Sequence, residues 1–200
     1  MPFKRKLLIA ILAGVAICSS FVFFRNFKKA NQNDSAVPIK NIDNSSEQED
    51  INFEPPVRLK IPGINVDAPL RPVGLDSAGA MEAPKGPDDV VWFEPGPYPG
   101  EEGSAVIAGH YGHWKNGSGS VFDNLNKLSK GDKIYIEDGK GATITFVVRE
   151  SRSYDPNADA GDVFDSNDGK SHLNLITCEG IWNKDSKSYS QRRVVFADKE

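Results

Sequence analysis

The chain has 200 residues, 38% of them hydrophobic and 26% charged, and a formal net charge of −4. That length holds one medium domain plus accessory segments, and the composition is that of an ordinary globular protein. No block of Lys or Arg interrupts the body of the chain, which argues against a nucleic-acid partner.

The first element in chain order is an unbroken apolar, charge-free run from Leu7 to Phe24, preceded by Lys4-Arg5-Lys6 and followed by Arg25, Lys28 and Lys29. At ~1.5 Å per residue, a helix of this length nearly crosses the ~30 Å hydrocarbon core of a bilayer. A cleaved signal peptide has a shorter apolar core, ~7–15 residues, that ends in small residues. This run ends in Phe21-Val22-Phe23-Phe24, so a retained transmembrane signal-anchor is expected over residues 7–24, with residues 1–6 as a short N-terminus. With a single span the whole body lies on one side of the membrane. The basic residues at both flanks leave that side undecided. Cys18 falls inside the span and reads as an ordinary membrane residue.

Residues 25–54 are rich in Asn, Asp, Gln, Ser, Glu and Lys and carry little periodic apolar content. They read as a flexible tether, because so polar a segment cannot bury enough surface to fold. From residue 55 to 200 the pattern changes to short apolar runs separated by turn residues. Strands are expected at Arg58–Ile61, Asn65–Leu70, Val90–Phe93, Ser104–Ala108, Lys133–Glu137, Ala142–Glu150, His172–Thr177 and Arg193–Ala197. The alternation is clearest in Ile134-Tyr135-Ile136 and in Thr143-Ile144-Thr145-Phe146-Val147. The one stretch of note with helical character is Val121–Leu128, with a further turn near Asp159–Phe164. Many short strands at this spacing point to a mainly β fold, a closed barrel or a sandwich.

The chain has two cysteines, and Cys178 is the one outside the apolar span, so it has no evident disulfide partner. It ends the strand-like run Leu175-Ile176-Thr177, and a polar connection, Glu179 to Gln191, is expected to follow at once. A thiol becomes a nucleophile through its thiolate, which a histidine can generate. A cation or backbone amide can then hold the oxyanion formed on attack at an acyl carbon. His110, His113 and His172 are the available histidines; His110 sits where Ala105-Val106-Ile107-Ala108-Gly109 meets a loop. On residue types alone, Cys178 also fits a small buried hydrophobe, and Arg192-Arg193 an ordinary solvated strand edge. The five acidic residues within Asp155–Asp168 lack calcium-ligand spacing. The His110/His113 pair lacks the further ligands that zinc needs.

Three segments in order, Ala105-Val106-Ile107-Ala108-Gly109-His110, Leu175-Ile176-Thr177-Cys178 and Arg192-Arg193-Val194-Val195-Phe196-Ala197, resemble the signature segments of the sortase family. Arg58-Leu59-Lys60-Ile61-Pro62-Gly63-Ile64 resembles that family's first strand. Val121-Phe122-Asp123-Asn124-Leu125 through Lys130-Gly131-Asp132 resembles its helix-turn-strand element. Gly96-Pro97-Tyr98-Pro99-Gly100-Glu101 is similar to class E and F sortases, and the likeness extends over Val57 to Ala197.

The resemblance implies a closed eight-stranded sortase-type β barrel with short helices, displayed outside the membrane of a Gram-positive-type bacterium, with Lys4-Arg5-Lys6 inside. It implies Cys178 as nucleophile, His110 as general acid/base and Arg192, in preference to Arg193, as the arginine that holds oxyanion or substrate. Thr177, Glu179 and Trp182 are candidate substrate contacts. The implied reaction is cleavage of an LPXTG-like sorting signal through a thioacyl enzyme. Transfer to an amine acceptor follows, such as a cell-wall precursor or a pilin lysine, with no cofactor. The competing expectation is a non-catalytic, membrane-tethered β barrel that binds wall polymer or peptide.

Overall fold

A computed structural model of the chain describes residues 54–114 and 116–200. The expected membrane span and all of the tether before Glu54 lie outside the described residues. Among the described residues eight strands occur: β1 Pro56–Ile61, β2 Val66–Val73, β3 Val90–Phe93, β4 Gly103–Gly109, β5 Lys133–Asp138, β6 Thr143–Tyr154, β7 Ser171–Asn183 and β8 Ser188–Lys199. One short helix, α1 Gly161–Phe164, lies between β6 and β7.

The strands close into a barrel in the order β1-β2-β3-β4-β7-β8-β6-β5, with β5 pairing back onto β1. Closure leaves the barrel without a terminal edge strand. Six of the neighbouring pairs are antiparallel; β2 with β3 and β4 with β7 are parallel. A parallel pair needs a long crossover. The two crossovers here are the 74–89 connection and the whole β5–β6–α1 excursion between β4 and β7. The first enters β3 level with Gly109, at the end where the cleft described below forms. The second leaves β6 at that end, where Tyr154 pairs with Arg192, and enters β7 level with Gly103 at the other.

Period-two patterning fills the interior. Val66, Ala68 and Leu70 of β2 are buried while Asp67, Pro69 and Arg71 are exposed. Leu59, Ile61, Trp92, Ile107, Ile134, Ile136, Phe146, Leu173, Leu175 and Val195 complete the core, each nearly inaccessible to solvent. Burying a side chain of this size contributes about 1.5–3 kcal/mol. On the outer face, Val163 of α1 packs with Val194 and Phe196 of β8 in a separate small cluster.

All eight expected strands are present, but three run well beyond their expected ends. β6 continues from Glu150 to Tyr154, because it pairs with β8 as far as Tyr154↔Arg192. The expected loop from Glu179 to Gln191 is largely strand: β7 and β8 form a long hairpin that still pairs at Trp182↔Tyr189 and Asn183↔Ser188. Polar composition hid this hairpin, and a register shift between Glu179 and Trp182 accommodates it. Gly180 enables the shift by taking φ 87°, a conformation that glycine adopts without cost. At the other end, β2 begins at Val66 rather than Asn65. Asn65 is left-handed (φ 56°) and closes a 3₁₀ turn over Pro62–Ile64.

The expected helix at Val121–Leu128 is instead a succession of tight turns ending in a 3₁₀ turn at Leu125–Lys127. Its amides bond three residues back: Asp123 to Ser120, Leu125 to Phe122, Lys127 to Asn124 and Leu128 to Leu125. Phe122 and Leu125 are fully buried, so packing into the barrel end, rather than an amphipathic stripe, sets this conformation.

The β6–β7 connection is fastened to the barrel by His172. Its Nδ1 lies 2.7 Å from Asp198 Oδ1 and its Nε2 lies 2.9 Å from Asp168 Oδ1. The hydrogen bond with His172 holds the Asp168 carboxyl down at about 2. A depressed carboxyl stabilises the fold above its unfolded value, near 3.9, and that contribution is lost as pH falls through the folded value. Asp168→Asn should therefore lower the urea midpoint at neutral pH. The gap from wild type should close as the pH approaches about 2, as urea titrations across pH 2–7 would record.

Candidate active site

The register of the barrel brings three side chains together. β4 runs parallel to β7 with Ala108 beside Ile176. Two residues on, His110, just past the end of β4, continues that register toward Cys178. On the other flank β8 runs antiparallel, and Arg192 stands directly across from Cys178. All three line one cleft of ≈ 420 Å³. Ala80–Pro84 of the β2–β3 connection form one wall, and Pro156, Ala158, Ala160, Val163 and Phe164 of the β6–β7 connection form the other. Ile176 and Val194 lie at its base, so the surface beside the thiol is largely apolar.

Each of the three is held by local structure. Gly109 lets β4 end against the buried turn at 121–122: a methyl group there would sit 2.5 Å from the Phe122 ring. His110 is fixed at both ends, since its carbonyl accepts the Phe122 amide (3.0 Å) and its Nε2 lies 2.7 Å from the Pro84 carbonyl. The loop after it is pinned by Asp123, whose carboxylate accepts the amides of Gly112 (2.6 Å) and Ser120 (2.9 Å). The Trp114 ring lies 5.1 Å from the His110 ring.

Burial pushes the Cys178 thiol up from its ordinary value, and the Arg192 guanidinium pulls it partly back. At neutral pH the thiol is therefore protonated in the resting cleft. Among the described residues Arg192 makes only neutral contacts, donating to the carbonyls of Gln191 (3.1 Å) and Tyr189 (3.4 Å) and to Ser188 Oγ (3.4 Å). Arg193 is differently employed: it holds the Glu179 carboxylate in a two-oxygen fork at 2.9 and 2.7 Å and does not line the cleft. Adjacent strand residues point to opposite faces, and here that separates a guanidinium free to meet a ligand from one committed to an ion pair.

These environments give the two arginines distinct expected signatures. Arg192→Gln should move the pH profile of Cys178 alkylation by iodoacetamide further upward, because only burial then acts on the thiol. Arg193→Gln should leave that profile near wild type but lower stability by about 2 kcal/mol, since Glu179 loses its partner in a partly buried site. Alkylation rates followed from pH 6 to 10, with thermal melts of the same proteins, distinguish the two.

The three candidate substrate contacts are placed differently. Thr177 lines the cleft but is 4% exposed, and its hydroxyl donates to the Gly109 carbonyl at 2.8 Å, which ties β7 to β4. Glu179 lies outside the cleft with Arg193 and also accepts from Ser153. Trp182 sits out on the hairpin, packed edge-on against Tyr189, whose ring also meets Tyr111. His113 is exposed on the loop after His110 and His172 is buried beside Asp168, so neither lines the cleft. Among the described residues, no group of three His, Cys, Asp or Glu side chains could hold a metal ion. Sequence reasoning missed the Ala80–Pro84 wall, Tyr154 and Trp114. Pro84 is 26 residues from His110, and no local pattern announces the contact.

Comparison with known proteins agrees with this architecture. The Sortase domain family matches residues 59–200. No curated protein sequence matches the chain. Among solved structures, Streptococcus agalactiae sortase C1 in complex with MTSET is similar, at 26% identity and a TM-score of 0.56, over 72% of this chain and 66% of that one. Actinomyces oris sortase C-1 is 27% identical with a TM-score of 0.53, over 72% and 71% of the two chains. Corynebacterium diphtheriae sortase A shares the fold at 23% identity and a TM-score of 0.53, over 74% of this chain and 62% of that one. The chain spans just under two thirds of the length of the S. agalactiae protein. The family match covers well over half of the chain and the closed barrel is the one these structures share, so the chain belongs to the sortase family.

Proposed function

We propose that this chain is a membrane-anchored cysteine transpeptidase that cleaves an LPXTG-like sorting signal and transfers the acyl fragment to an amine acceptor. The observation that carries this reading is the convergence of Cys178 from β7, Arg192 from β8 and His110, just past the end of β4, on one largely apolar cleft. Cys178 is the nucleophile, His110 the general acid/base and Arg192 the group that stabilises the oxyanion or the substrate backbone. The anchor is the apolar run 7–24, and the barrel stands outside the cell membrane.

The thiol rests protonated, so His110 must take its proton as sulfur attacks the threonine carbonyl carbon. The S–H bond breaks, an N–H bond forms on the imidazole, and the carbonyl π pair moves to oxygen beside Arg192. On collapse the C–N bond breaks, the departing amine takes the proton from His110, and a thioacyl enzyme remains. An incoming amine reverses these steps, giving its proton to His110. The apolar walls suit the Leu-Pro part of such a signal, which presents hydrocarbon and lacks one backbone donor. A wall precursor or a pilin lysine supplies the acceptor amine. Within the family we place the chain nearest classes E and F on the segment 96–101, where Tyr98 packs 4.7 Å from Trp92 and Trp92 Nε1 donates to the Pro97 carbonyl.

The test is intact mass spectrometry of the detergent-solubilised full chain with LPXTG-type peptides. A mass increase equal to the peptide up to its threonine, discharged by an added amine, is the expected result. No adduct across a varied peptide set would overturn the reading in favour of a non-catalytic peptide- or polymer-binding barrel.

A further inference from the structure

The β2–β3 connection does more than wall the cleft. Its first part is a compact hairpin: Leu75 bridges to Met81, the Asp76 amide donates to the Ala80 carbonyl at 2.7 Å, and the Glu82 amide donates to the Gly74 carbonyl at 3.0 Å. The Asp76 carboxylate accepts the amides of Ala78 (2.8 Å) and Ala80 (3.0 Å). Further on, the Pro87 carbonyl accepts the Val121 amide at 2.9 Å, fastening the connection to the turn that also holds the His110 carbonyl. Pro84 lies between these two fastenings. It is buried, and its carbonyl is 2.7 Å from His110 Nε2.

A carbonyl oxygen can only accept, so the nitrogen facing it must carry the hydrogen. We propose that Pro84 is a positioning residue whose carbonyl fixes His110 as the Nε2–H tautomer, leaving Nδ1 as the nitrogen that exchanges a proton with Cys178. This rests on the catalytic role proposed above for His110. The same contact serves both stages of the reaction. In the neutral ring it keeps Nδ1 unprotonated and able to take the thiol proton. In the imidazolium it keeps accepting from Nε2–H and so stabilises the cation, as a partly buried hydrogen bond to a charged group does. Substrate pressing on the Ala80–Pro84 wall thus bears directly on the base.

Long-range proton–nitrogen NMR of ¹⁵N-histidine-labelled full chain in detergent reads the tautomer without any turnover, with His110→Gln supplying the assignment. At neutral pH the expected pattern is a protonated Nε2 and an unprotonated Nδ1. A protonated Nδ1, or a doubly protonated ring, would overturn the proposal even if peptide adducts form. Conversely, the expected pattern without adducts would count against the proposed reaction and leave the tautomer assignment standing. Asp76→Ala, which loosens the hairpin from outside the cleft, should introduce the Nδ1–H form and lower kcat about three- to tenfold, a fraction of what a general base contributes. KM should stay within about twofold, as expected for an interaction made mainly in the transition state. An unchanged tautomer together with unchanged kcat in that variant would overturn the role of the connection.

Discussion

Replacing Cys178 with alanine should abolish the peptide adduct and all amine-dependent turnover, while leaving the barrel folded. Cys178 is the one thiol among the residues lining the cleft, and the neighbouring Thr177 hydroxyl is committed to the Gly109 carbonyl, so it supplies no equivalent nucleophile once the sulfur is gone. The fold should tolerate the change because Cys178 is only partly buried and, among the described residues, its thiol makes none of the hydrogen bonds that hold the strands. β7 is secured on either side of it by Thr177, through its bond to Gly109, and by the ladder to β8. Losing one sulfur from a cleft wall costs little next to the 2–5 kcal/mol of a large-to-small change in a packed core. Wild type and Cys178→Ala compared by melting and by intact mass separate loss of chemistry from loss of structure. A Cys178→Ala protein that still accumulates the adduct would require another nucleophile.

Much of this site is legible in the sequence because strand register converts short motifs into spatial neighbours. His110 and Cys178 each end an apolar run, and the parallel β4–β7 pairing brings those two ends toward each other. Alternation says only that one of Arg192 and Arg193 faces the cleft, the resemblance picks Arg192, and the structure adds what Arg193 does instead. What composition obscured is the continuation of strands through polar residues. The residues from Glu179 to Gln191 look like a loop because their outward faces are solvated, yet pairing with β8 keeps most of them extended. The helix expected at Val121–Leu128 failed for a related reason. Phe122 and Leu125 are apolar and three apart, as on a helix face, but they plug the barrel end and force tight turns. Contacts spanning long sequence separations, such as Pro84 with His110, depend on the path of a crossover that no local pattern encodes.

His110→Ala should reduce turnover by about 10²–10⁴-fold, the range for loss of a positioned general acid and base. It should do so without a comparable change in thiol reactivity toward a small alkylating agent. Burial and Arg192 account for the direction of the Cys178 shift, and the imidazole is not among its causes. Iodoacetamide needs only the thiolate that the bulk pH supplies. Peptide acylation needs a proton taken from sulfur and then delivered to a departing amine of high pKa. The two assays therefore separate the histidine's roles. A collapse of turnover with the alkylation midpoint held above the ordinary thiol value, about 8.5, means a neutral thiol–imidazole pair that exchanges its proton during the reaction. An alkylation midpoint that is low in wild type and climbs on removal of His110 means a standing thiolate–imidazolium pair. That result would contradict the protonated resting thiol that burial in this cleft dictates.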